Sequence, residues 1–105
     1  MDDERVTVLR AVPAALLAAD GDLDPALRRA AFEHGGGRPD DTPLPEPLGR
    51  FVDKVTTEAY KVTDGDADEL RAAGYSEDAI LEAVLATAMG AGLARLEIGL
   101  AALGR

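Results

Sequence analysis

A chain of 105 residues with 47% apolar side chains is long enough for one domain with a single modest core. At 4% aromatics, that core has to be built from Ala, Leu, Val and Ile. A formal net charge of −9 argues against nucleic acid, whose phosphates need a basic face, and equally against an anionic membrane surface. The absence of cysteine excludes disulfides, thiolate nucleophiles, zinc–cysteine sites and thiol redox chemistry, and a single histidine, His34, makes a His-based metal site or a Ser–His relay hard to assemble.

The chain begins Met1-Asp2-Asp3-Glu4-Arg5, acidic where a signal peptide is basic. Residues 1–34 are expected to form N-terminal helices. In residues 4–19, Val6, Leu9, Val12, Leu16 and Leu17 recur at helical spacing, and Pro13 is expected to kink or restart the helix. The turn 20–25 ends in Asp24-Pro25, an N-cap followed by a proline at the first helical position. A short helix then runs to His34 and stops at Gly35-Gly36-Gly37; His34 reads as a favourable cation at that helix end. Residues 35–47 hold three glycines and four prolines and read as a loop.

From residue 48 the pattern is clearer. Leu48, Phe51, Val52, Val55, Ala59 and Val62 form a helical stripe, with Asp53, Lys54, Glu58 and Lys61 mostly outside it. A short helix to Ala73 is closed by Gly74, and Ser76 caps a long helix over residues 77–103, with Glu77 and Asp78 near its positive end. In that helix Ile80, Val84, Ala91 and Ile98 form one apolar stripe, and Leu85, Met89, Leu93, Leu96, Leu100 and Leu103 a second. Only Glu82, Arg95 and Glu97 add charge inside it. A helix apolar nearly all round must be buried nearly all round, which favours homo-oligomerisation through residues 77–103 over wrapping by the chain's other helices. Its longest uncharged run, 83–94, is short of the ~20 residues of a membrane span. No strand pattern and no repeat is present. The expectation is therefore one cytoplasmic all-α domain: residues 1–34, a loop at 35–47, and a helical core at 48–103.

The acids Asp64, Asp66, Asp68 and Glu69 invite a metal reading. Counting an EF-hand loop from Asp64, however, puts Glu69 where glycine is needed and Tyr75 where the closing Glu is needed. No metal is expected. Thr63 and Asp66 instead resemble a capping box, with the acids crowding a helix start where its dipole favours them. A second reading keeps Asp66, Glu58, Tyr60 and Asp64 as candidate catalytic residues, one carboxylate serving as a general base. Residues 51–79 carry eight acids against three bases, or −5, a surface that can also meet a basic protein partner.

The segment from Glu69 to Leu103, with Ala72-Ala73-Gly74, Ser76-Glu77-Asp78-Ala79-Ile80 and Glu82, resembles the alkylhydroperoxidase AhpD-like/carboxymuconolactone decarboxylase family over about residues 44–103. The resemblance implies an AhpD-like helical fold and a homo-oligomer. Redox members of the family carry a Cys-x-x-Cys and a histidine. Counting back from Gly74, their positions fall on Ala59, Val62 and Asp66, and the family's acid falls near Pro47, beside Glu46. No thiol is left, and thiol peroxidase activity is excluded. The decarboxylase branch implies a cofactor-independent lyase or isomerase for a small molecule, but no matching His or Arg constellation appears, and Arg71 reads as a surface residue. The preferred expectation is a redox-inactive binding, accessory or structural homo-oligomer without cofactor; the alternative is a lyase or isomerase using a carboxylate base.

Overall fold

The computed structural model describes residues 11, 15, 17, 20–38 and 41–104. Ala11, Ala15 and Leu17 are helical, and the effect of Pro13 lies outside the described residues. Four further α-helices follow: α1, Pro25–Gly35; α2, Leu48–Glu58; α3, Asp64–Ala72; and α4, Glu77–Ala102. A 3₁₀ turn, Ala59–Lys61, joins α2 to α3. There is no strand among the described residues, so the fold is all-α.

The helix ends follow local chemistry. Asp24 caps α1 by accepting the Ala26 amide at 2.8 Å, with Pro25 directly after it. Ser76 caps α4 by accepting the Ala79 amide at 3.0 Å. Between α3 and α4, Gly74 takes φ +100° while the Tyr75 amide donates to the Leu70 carbonyl and the Gly74 amide to that of Arg71. This pair of bonds is a Schellman closure, and the left-handed position favours glycine.

Two boundaries differ from the sequence reading. The α2 stripe stops at Glu58 instead of continuing to Val62. Val55, Thr56 and Thr57 are consecutive β-branched residues, which are weak helix formers, and the threonine hydroxyls donate to the Val52 and Asp53 carbonyls. Helix α1 runs through Gly35 rather than ending before it, and Gly35 packs directly against α4. A Cβ there would lie 2.1 Å from the Thr87 carbonyl oxygen of α4. Reciprocally, a Cβ on Gly90 would lie 1.9 Å from the Phe32 carbonyl oxygen. Helices α1 and α4 therefore touch backbone to backbone, at a separation that only glycine permits at those two points.

The core is the layer between α4 and the pair α1 and α2, supplied by Ala31, Phe32, Phe51, Val52, Leu70 and Ala83 among others. The buried face of α4 consists of Ala79, Ile80, Ala83, Ala86, Thr87 and Gly90, small residues apart from Ile80. Of the apolar stripes expected on this helix, only Ile80 is fully buried. Val84, Met89 and Leu93 pack at the edge, while Leu85, Ile98 and Leu103 are exposed. Close approach of α1 selects small side chains for the inner face and leaves the large ones outside.

By length and composition alone α4 could cross a membrane, with mean hydropathy 1.5 over its most apolar window and 39% of that window buried inside the fold. Arg95 and Glu97 break the uncharged run but not the overall apolar character. The same composition serves a core helix, and the inner face of α4 is part of the core.

Candidate functional site

Asp66 sits at the third position of α3, where helix start and tertiary contact meet. Thr63 accepts the Asp66 amide at 3.4 Å, and Asp66 Oδ2 accepts the Thr63 amide at 2.8 Å, completing the capping box. The same oxygen accepts the Thr63 hydroxyl at 3.2 Å and Lys54 Nζ from α2 at 2.9 Å. The Lys54 ammonium, followed by the Thr63 amide, holds the Asp66 carboxyl below its ordinary range. With Pro47, Arg50, Phe51, Lys54 and Glu69 it lines a pocket of about 190 Å³.

The other candidate residues do not join it. Glu58 pairs with Lys61 at 2.7 Å, and the Lys61 ammonium lies 5.8 Å from the centre of the Tyr60 ring. Tyr60 is 83% exposed, Asp64 is exposed, and neither lines this pocket. Val55 and Val62 pack against the core, whereas Ala59 faces solvent. Among the described residues no group of three or more His, Cys, Asp or Glu side chains is placed to hold a metal ion.

The acidic stretch is largely answered from within the chain. Asp53 lies 3.2 Å from His34, and Glu69 lies 3.3 Å from Arg50, which also binds Glu46 at 2.8 Å. Arg71 binds both Asp68 and Glu77. Those two carboxylates raise the pKa of the guanidinium, and Arg71 in turn lowers that of Glu77. Arg71 is thus a clasp joining α3 to the first turn of α4. His34, at the end of α1, and Asp53 flank a second, wider groove of about 430 Å³, whose rim includes Arg38 and Arg50. Both arginines are paired with carboxylates there, Arg38 with Glu33 at 3.3 Å.

One cluster escaped the sequence reading. Glu82, on the α4 surface toward the loop before α1, accepts the amides of Asp22 and Leu23, each at 3.0 Å. Its Oε1 lies 3.8 Å from Nε of Arg28, a residue only 1% exposed. Arg28 also donates to the Leu23 carbonyl at 3.3 Å, and Ser76 donates to Asp22 at 2.7 Å. The only available signal was a lone carboxylate inside an apolar helix; its partners lie about 55–60 residues away in sequence. This cluster is structural in form: Glu82 ties α4 to the loop before α1 by two backbone hydrogen bonds and an ion pair, and neither Glu82 nor Arg28 lines a pocket.

What remains open is the outer face of α4, opposite the core. Leu81, Leu85 and Leu103 are 54%, 41% and 64% exposed, and Ala88 and Gly92 between them are exposed as well. No family model, no curated protein and no solved structure matches the chain.

Proposed function

We propose that this chain is a redox-inactive, AhpD-like helical subunit that self-associates through α4 and acts as a binding, accessory or structural protein in the cytoplasm, without a cofactor. The observation that carries the reading is the outer face of α4, where large apolar side chains stand exposed along a helix of about 39 Å. Large apolar side chains left exposed along one helix face mark an interaction surface. What supports the family part is the Ala73-Gly74 turn into a Ser76-capped helix. In addition, Pro47 and Asp66, the positions the resemblance gives to the family's acid and histidine, line one pocket.

The carboxylate-base alternative draws on Asp66 facing that same pocket. Against it, a carboxylate held low by Lys54 is a poorer proton acceptor, and Tyr60 and Glu58 are turned to Lys61. A basic protein partner is likewise less favoured, because most acids of residues 51–79 are already paired.

Native mass spectrometry on the full chain tests the proposal. A closed oligomer of the bare polypeptide is expected. A protein that stays monomeric at tens of micromolar defeats it. Turnover of a lactone, lost on Asp66→Asn, transfers the function to the alternative.

A further inference from the structure

We propose that the outer face of α4 pairs antiparallel with the same face of a second copy of this chain, about a two-fold axis near residue 86. This rests on the oligomeric reading above and goes further by naming the face, the partner and the register. Other parts of the molecule carry less. The wide groove at His34 and Asp53 has its arginines neutralised, and the Arg28–Glu82 cluster lines neither pocket.

Three observations converge. First, the spacing of Leu81, Leu85, Ala88 and Gly92 is four, three and four residues, the alternation that keeps one seam facing a partner helix. These residues lie opposite the buried set Ala79, Ala83, Ala86 and Gly90, so they can be covered without disturbing the core. Second, the seam is self-complementary when reversed. In a register centred between residues 86 and 87, Leu81 of each copy lies level with Gly92 of the other and Leu85 with Ala88, large against small. A Cβ on Gly92 would meet nothing within 4 Å among the described residues of one copy, so the space above it is open.

Third, the charges match. Arg95 is the only cation of α4, is exposed, and has no ion-pair partner among the described residues. Eighteen residues separate it from Glu77, about five turns at 3.6 residues per turn, so both lie on the same side of the seam. In a two-fold antiparallel pair, groups on the same side meet. The same register brings Arg95 of one copy within one residue rise, about 1.5 Å along the axis, of Glu77 of the other, where it extends the Arg71–Glu77 ion pair. A parallel pair would leave these two charges about 27 Å apart along the helix. Charge complementarity therefore selects a second copy in the reversed direction, where a neutral lipid surface would gain nothing from Arg95.

The test is sedimentation equilibrium of the full-length protein and of three variants, with circular dichroism checking that each is folded. Gly92→Leu is expected to keep its helix content and thermal midpoint as a monomer while weakening self-association at least a hundredfold. Arg95→Glu is expected to weaken it about tenfold, and Glu77→Arg combined with Arg95→Glu to recover most of that loss. If the wild type is monomeric, the oligomeric reading falls and this one with it. If the wild type associates but Gly92→Leu or Arg95→Glu associates equally well, or the charge exchange restores nothing, only the present proposal falls. A monomeric wild type that co-floats with phosphatidylcholine vesicles assigns the face to lipid and overturns it as well.

Discussion

Gly90 and Gly92 are two residues apart on one helix and have opposite surroundings. Gly90 is pressed against the Phe32 carbonyl of α1, while a Cβ on Gly92 would meet nothing within 4 Å among the described residues. The same contrast runs along α4. Its inner face in the first half is filled by small residues in backbone contact with α1, and its outer face keeps Leu81, Leu85 and Leu103 in solvent. Two glycines with equal intrinsic cost to a helix therefore do different work. One sets the distance between helices inside the chain, and the other leaves room for something outside it. Composition cannot separate them; only the neighbour can.

The contrast can be broken first at Glu82, which anchors the inner side. Glu82→Ala should cost about 3–5 kcal/mol in urea denaturation, because it removes both the acceptor of two loop amides and the carboxylate beside the buried Arg28 guanidinium. Loss below about 1 kcal/mol would mean that the two amides and Arg28 are satisfied without Glu82. Gly90→Ala should follow at about 3 kcal/mol, the upper end of ordinary overpacking, since the atom a Cβ would strike is backbone and cannot rotate away. A thermal midpoint equal to that of the wild type would refute the backbone contact between α1 and α4.

Smaller effects sharpen the comparison. Thr63→Ala removes one half of the capping box and should cost about 1 kcal/mol. The Asp66 carboxyl is held below its unfolded value by Lys54 and Thr63, so its contribution is present above a pH of about 4. It is lost as pH falls through the lowered folded value. Stability measured against pH should therefore drop on the acid side of pH 4, and less so in Asp66→Asn. An equal drop in both would remove Asp66 from the acid response. On the exposed side, Gly99→Ala should raise stability by up to ~1 kcal/mol, because a Cβ there meets nothing within 4 Å among the described residues. A loss instead would reveal a covering partner that reaches the end of α4.

The acidic run at Asp64–Glu69 teaches a related lesson. Read as chemistry it suggests a site, yet its central member, Asp66, is consumed by a helix cap and a lysine. The sequence already held the Thr63–Asp66 spacing, so the cap was legible. Lys54 was not, because it lies on another helix at a distance in the chain that no local spacing encodes. Tyr60 and Glu58 appeared to be neighbours of Asp66 by number. The 3₁₀ turn that begins at Ala59 sends them toward Lys61 instead.

By itself the sequence determined the helical class, the helix starts at Asp24, Thr63 and Ser76, the glycine stop at Gly74 and the absence of thiol chemistry. Each of these depends on bonds spanning only a few residues, or on composition. Tertiary structure alone decided which face of α4 is buried, that Gly35 and Gly90 are contact points, and that Glu82 belongs with Arg28. Those outcomes depend on how closely two helices approach, a distance set by small side chains from both partners at once and therefore invisible in either segment alone.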